Sequence, residues 1–184
     1  MTRFLFLLAS ARPEGNAERL ARAAAAALPS ATSQRWLTLR DFSLPPFEDR
    51  RHSGPPYEAP DGDERALLDA TLDAEHLVFV APVYWYALPA TAKLYLDYWS
   101  KWLRVPDRDF KARMAAKSLS AVVVTSGDDD AEAEPLTGCL RLTADYMEMK
   151  WRGALIGHGN RPGDVENDAR AMEAARRFFG AGDE

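Results

Sequence analysis

Cysteine is almost absent: Cys139 stands alone in 184 residues, with three histidines beside it in the count. One thiol excludes an intrachain disulfide and any thiolate metal cluster built within one chain, so a reducing cytoplasm is the expected compartment. Runs of Lys or Arg are also missing. With a formal net charge of −5 and a pI near 5.3, the chain offers phosphates no basic face, and nucleic acid is excluded as its main partner. No apolar stretch approaches the ~20 residues of a membrane span, so none is expected. Met1-Thr2-Arg3, Phe4 to Leu8 and Ala9-Ser10-Ala11 have the outline of a signal peptide. Their apolar core is shorter than the ~7–15 residues such a segment needs, and a buried first strand is the expectation instead. There is no internal repeat. The histidines and the cysteine lie far apart and no hydrolase elbow accompanies them, so no nucleophile–base pair is indicated. What remains is an ordinary globular composition, 47% hydrophobic, of a length that suits one domain over residues 1–184.

The chain is organised around residues 77–102. Leu77-Val78-Phe79-Val80-Ala81 is an unbroken apolar run, the pattern of a strand buried on both faces. Pro82 is expected to stop the ladder. Val83-Tyr84-Trp85-Tyr86 then sets aromatics on a loop, and Pro89 suits the first turn of a helix. Leu88, Ala92, Tyr95, Leu96 and Trp99 recur at helical spacing. Strand, aromatic loop and helix make one crossover unit of a parallel sheet, in which ligands bind beyond the strands' carboxyl ends.

Four further strands are expected: Phe4 to Ala9, Arg35 to Leu39, Leu119 to Thr125 and Trp151 to Ile156. Between them come helices over Ala17 to Leu28, Asp63 to about Ala74 and Leu136 to Met147, with Val165 to Phe179 closing the chain. Residues 103–117 read as a charged connection. Five strands alternating with helices predict an α/β fold, a doubly wound five-stranded parallel sheet in the order 2-1-3-4-5 with helices on both faces. That order brings the loops at Ser10, Tyr84 and Ser126 to one edge.

The first loop, Ser10-Ala11-Arg12-Pro13-Glu14-Gly15-Asn16, joins a strand to a helix start, where free N–H groups and the helix dipole favour a phosphate. Its spacing matches neither the Walker A nor the dinucleotide fingerprint. The alternative is that Asn16 caps the helix and Arg12 is solvated. The loop over 40–62, rich in Pro, Asp, Arg and Gly, holds Phe47, His52 and Tyr57; it either covers a ligand or is a disordered excursion. Asp128-Asp129-Asp130 lacks the spacing of a Ca²⁺ loop and reads as a solvated helix approach. A phosphate seat beside an aromatic platform describes a mononucleotide site, and a flat ring at Tyr84 to Tyr86 fits a flavin better than a sugar.

These residues resemble the flavodoxin-like NAD(P)H-dependent FMN and quinone reductases. Ala9 to Glu18 is similar to that family's Gly-Ser-Pro-Arg and Gly-Asn-Thr segment, and Pro82 to Ala90, with Lys93 and Asp97, is similar to its second flavin loop and helix. The resemblance implies that Ser10, Arg12, Gly15, Asn16 and Ala17 hold the FMN phosphate. It places Pro82, Val83, Tyr84, Trp85 and Tyr86 beside the isoalloxazine, and Ser126, Gly127 and Asp128 near its pyrimidine end. It implies hydride transfer from NADPH or NADH to the flavin, then electron transfer to a quinone or similar small acceptor. The other readings are a flavodoxin-type electron carrier and a cofactor-free protein that keeps the fold for packing. Ala9 and Ala17 stand where the family has Gly and Thr or Ser, which predicts weaker FMN binding. The acidic Ser126 to Asp130 loop is expected to repel a second anion such as NADPH. Tyr95, Tyr98, Trp99 and Trp102 make the central helix aromatic enough to suggest a homodimer through it.

Overall fold

The structure, a computed structural model, describes residues 2–106 and 108–180. Five parallel strands form its centre: β1 (Arg3–Leu8), β2 (Ser33–Thr38), β3 (His76–Pro82), β4 (Ser118–Thr125) and β5 (Lys150–His158). They pair in the order β2-β1-β3-β4-β5, as the alternating pattern predicts. Six helices accompany them: α1 (Asn16–Ala25), α2 (Gly62–Asp73), α3 (Ala90–Trp102), α4 (Phe110–Ala115), α5 (Glu134–Tyr146) and α6 (Ala169–Phe178).

Side chains alternate across a strand, so each central strand feeds two cores. Leu5, Leu7, Phe79, Leu119 and Val123 point to the face covered by α2, α3, α4 and α5. Phe4, Phe6, Leu8, Val78, Val80 and Val122 point to the face covered by α1 and α6. Both sets are buried, which is why the strands read as unbroken apolar runs. β2 lies at the edge, where Trp36 stacks on Phe6 at 3.9 Å and carries the Arg22 guanidinium at 4.3 Å.

Several expectations need correction. Pro82 is the last residue of β3, in register with Val124, and Val83 N–H carries the ladder one step on to Val124 O at 2.8 Å. A proline at a strand's end costs only its own N–H. Pro89 precedes α3 as its N-cap residue. The stretch 103–117 contains α4, whose anchors Phe110 and Met114 are buried. β5 runs through Gly157 and His158, which read as loop, and a 3-10 turn over Asp164–Asn167 delays the last helix to Ala169. The aromatics of α3 do not form an exposed patch. Tyr95, Tyr98, Trp99 and Trp102 are all buried; Tyr95, Trp99 and Trp102 meet edge-on with Phe110 and one another, and Tyr98 meets Phe47 edge-on.

Part of the loop after β2 packs against the body of the protein. Phe47 packs on Tyr98 and Tyr57, and the Tyr98 hydroxyl donates to Pro45 O at 3.0 Å, so these aromatics fasten the loop to α3. His52 is exposed.

Candidate functional site

At the carboxyl edge of the sheet lies a cavity of 220 Å³ lined by Ser10, Arg12, Gly15, Asn16, Ala17, Pro82, Val83, Tyr84, Val124, Ser126, Gly159 and Asn160. Nine of the thirteen residues singled out from the sequence therefore share one wall. It sits where β1 and β3 diverge to their separate helices, the switch point of the sheet. A larger cavity, 760 Å³, lies between α3 and α5, away from this edge.

The phosphate side is built by the start of α1. Gly15 is the N-cap residue and no side chain caps the helix. Arg19 N–H is the first to bond back along the chain, to Gly15 O at 3.0 Å, so the amides of Asn16, Ala17 and Glu18 lie ahead of it. Ser10 Oγ accepts from Arg12 N–H at 3.1 Å, which curls the loop toward the helix. A Cβ on Gly15 would sit 3.1 Å from Ser10 Oγ, tighter than ordinary packing. The missing side chain leaves a cradle of backbone N–H groups at the positive end of the helix dipole, suited to an oxyanion. Arg12 is exposed on its rim.

Asn16 neither caps the helix nor keeps a free amide. Its Nδ2 donates to Arg161 O at 2.9 Å and its Oδ1 accepts from Gly163 N–H at 2.9 Å. The side chain clasps the loop after β5.

The aromatic side is a two-residue turn. Tyr84 and Ala87 exchange backbone hydrogen bonds at 3.1 and 3.2 Å, leaving Trp85 and Tyr86 at the tip with φ of 50° and 61°. Glycine and asparagine favour that left-handed region, whereas a bulky aromatic is held there at a cost of roughly 1–3 kcal/mol. Trp85 is 94% exposed, so packing within the chain does not explain it. Trp85 and Tyr86 flank the cavity through Tyr84 without lining it.

Of the third loop, Ser126 lines the cavity while Gly127 and Asp128 do not. Of its three aspartates, Asp130 is paired with a cation. Asp130 takes both Arg170 nitrogens at 2.9 Å and lies 2.9 Å from His158 Nε2, and Asp129 caps the following turn through Ala131 N–H. Asp128 is an exposed carboxylate without a partner among the described residues, and Asp129 keeps its charge while it caps, so the loop remains acidic. A Cβ on Gly127 would displace the Glu132 carboxylate, which accepts the Thr125 hydroxyl at 2.5 Å.

Gly159 and Asn160 were not anticipated as site residues; they lie in the stretch Gly157-His158-Gly159-Asn160-Arg161-Pro162-Gly163-Asp164. Parallel strands end at one edge, so the loop after β5 had to join those after β1, β3 and β4. Among the described residues no group of three or more His, Cys, Asp or Glu is placed to hold a metal ion, and no helix is long and apolar enough to cross a membrane.

A helix start suited to an anion, beside an aromatic turn at the switch point of a 2-1-3-4-5 sheet, is the arrangement of an α/β protein of the flavodoxin type. The chain belongs to the flavodoxin-like fold family, whose model matches residues 2–179. It is 32% identical over 142 residues, 77% of this chain and 78% of the other, to a Bacillus subtilis (strain 168) protein named as an NAD(P)H-dependent FMN-containing oxidoreductase, YwqN. It superposes on the Trp repressor binding protein of Bacillus subtilis with a TM-score of 0.76 at 26% identity, covering 98% of this chain and 99% of that one. An FMN-dependent NADH-azoreductase of Bacillus anthracis str. Ames Ancestor, solved in complex with FMN, shares the fold with a TM-score of 0.65 at 13% identity over 97% and 99% of the two chains.

Proposed function

We propose that the protein is an FMN-dependent NAD(P)H oxidoreductase that passes electrons to a quinone or a similar small acceptor. The observation that carries this reading is the pairing, across one cavity, of an uncapped helix start with a strained, solvent-facing aromatic turn. The residues fit FMN. Removing the Cβ at Gly15 opens the cradle a phosphate needs, and the turn at Tyr84 to Tyr86 offers a flat ring an apolar wall. Kinship with an FMN-containing oxidoreductase supports it.

When bound, FMN supplies the hydride and electron chemistry. The chain's residues bind and orient. Ser10, Arg12 and the amides of Gly15, Asn16 and Ala17 take the phosphate; Pro82 to Tyr86 flank the ring. Ser126, with Gly127 and Asp128 behind it, meets the pyrimidine end, where a backbone N–H favours negative charge on the ring. No side chain is required as acid or base. NADPH or NADH and the acceptor use the exposed face beside Trp85, which accounts for a tip that nothing in the chain covers.

The dimer expected from α3 is kept, on different grounds. The groove between α3 and α5 is lined by Leu96, Leu103, Leu142, Tyr146 and Met147, and Leu142 and Tyr146 are 62% and 65% exposed. An apolar groove of this kind marks an association surface, and the protein is proposed as a homodimer through it, in the cytoplasm and folded as one domain. A monomeric mass at micromolar concentration would sink the dimer. The function is tested by incubating the purified protein with FMN, removing free flavin and recording the visible spectrum. A retained flavin band supports the reading, and a colourless protein rejects it.

A further inference from the structure

The loop after β5 lies outside every feature by which the site was read from the sequence, yet it closes the cavity. Gly159 and Asn160 line the same cavity as Ser10, Arg12, Gly15 and Ala17, and Gly159 lies directly against Asn16 at the helix start. The loop is held there by a dense set of bonds. Gly159 N–H donates to Thr125 O at 2.9 Å, fixing the loop to the end of β4. Asp164 Oδ2 accepts from Asn160 N–H at 3.2 Å and Arg161 N–H at 2.7 Å, closing a tight turn. Asn16, the first residue of α1, clasps Arg161 O and Gly163 N–H. Asn16 is 9% exposed, and both heavy atoms of its amide are engaged in this clasp.

The approach is close enough to demand glycine. A Cβ on Gly159 would lie 2.8 Å from Asn16 Nδ2, which cannot withdraw without breaking the clasp, and 2.9 Å from the backbone nitrogen of Val165. The side chain of Asn160, by contrast, makes no hydrogen bond within the described chain and is exposed at the cavity's rim. A neutral amide offers two N–H donors to an oxyanion and adds no charge for solvent to screen.

Resting on the flavin reading above, we propose that Asn160 is a ligand of the FMN phosphate and that Asn16 is a positioning residue that holds Asn160 in place. Asn16 contributes to the phosphate through its backbone amide and through the loop it clasps, and its side chain does not touch the phosphate.

The test is a pair of dissociation constants, for FMN and for riboflavin, read by quenching of flavin fluorescence. Riboflavin shares the ring and lacks the phosphate, so the ratio isolates the phosphate seat. Asn160→Ala is expected to weaken FMN by tenfold or more, the loss of a hydrogen bond to a charged group, with riboflavin unchanged. Asn16→Ala should weaken FMN at least as much, and the double variant should bind FMN no more weakly than Asn16→Ala alone. Unchanged FMN binding by Asn160→Ala, or an equal loss for both flavins, overturns the ligand role. Additive losses in the double variant overturn the positioning role. Should Asn16→Ala fail to fold, Asn160→Asp at its exposed position decides the first point: it must weaken FMN further than Asn160→Ala and leave riboflavin alone. Wild-type protein that binds riboflavin and FMN equally rejects this inference but leaves a flavin site standing. Wild-type protein that binds neither rejects the flavin reading itself.

Discussion

Trp85→Asn should make the protein more stable and a poorer flavin binder. Trp85 sits at φ 50° at the tip of a two-residue turn and is 94% exposed, so the substitution removes almost no buried area. Asparagine tolerates the left-handed region that a tryptophan is forced into. The relief amounts to about 1 kcal/mol, and in a domain of this size that raises Tm by roughly 2–4 °C. The turn's backbone bonds, Tyr84 N–H to Ala87 O and Ala87 N–H to Tyr84 O, are kept. Thermal unfolding without ligand measures the gain. A titration with FMN measures the loss, since the aromatic at the rim of the cavity, proposed to flank the ring, is gone. A Tm that falls or does not move would show that no strain is stored at the tip. A raised Tm with unchanged flavin affinity would show that the strain serves nothing at the cavity, which would detach the turn from the site.

Other outcomes follow from single contacts. Ala17→Ser places a hydroxyl at a cavity-lining position in the first turn of α1 and should tighten FMN by about tenfold, with riboflavin unaffected, in the same fluorescence assay. Gly127→Ala pushes the Glu132 carboxylate off the Thr125 hydroxyl and should cost about 1 kcal/mol of stability by denaturant unfolding. His76 is stacked on Phe4 between Ser118 and Ser120 hydroxyls at 2.7 and 2.9 Å, and burial, aided by Arg152, lowers its pKa to about 4. The unfolded chain therefore takes up this proton first as pH falls. Stability is fully present above pH 6.5 and declines toward pH 4, by about 3 kcal/mol in all from this group. His76→Gln should flatten that part of the pH profile in urea unfolding at a series of pH values.

Much of this architecture is legible in the residues because both faces of the sheet are covered. Leu77 to Ala81 and Phe4 to Leu8 are buried on either side, so their runs carry a strand signal that no tertiary detail alters. Strand order follows from the alternation of strands and helices, and the order brings the first three loops together. α4 was hidden because only Phe110 and Met114 anchor it within a charged segment, two contacts too few for a periodicity. The start of α6 was misplaced because Val165 is buried from a 3-10 turn, while the helix waits for the Asp168 carboxylate to cap Ala171 N–H. The aromatics of α3 misled for a related reason. Their number is visible in the sequence, but whether they face solvent or Phe110 depends on the helix that was missed. Asn16 was identified as a site residue from its place at a helix start. Its partners, 145 and 147 residues away, are set by which loops share an edge.

The measurement that bears most directly on the account is anaerobic stopped-flow mixing of the FMN-loaded protein with excess NADPH and, separately, NADH, followed by a quinone. The account predicts loss of the oxidised-flavin band with at least one nicotinamide and its return when quinone is added, with steady-state kinetics of the ping-pong form because both substrates use one face. A flavin that stays oxidised with both nicotinamides would contradict the oxidoreductase assignment and leave an electron carrier in its place.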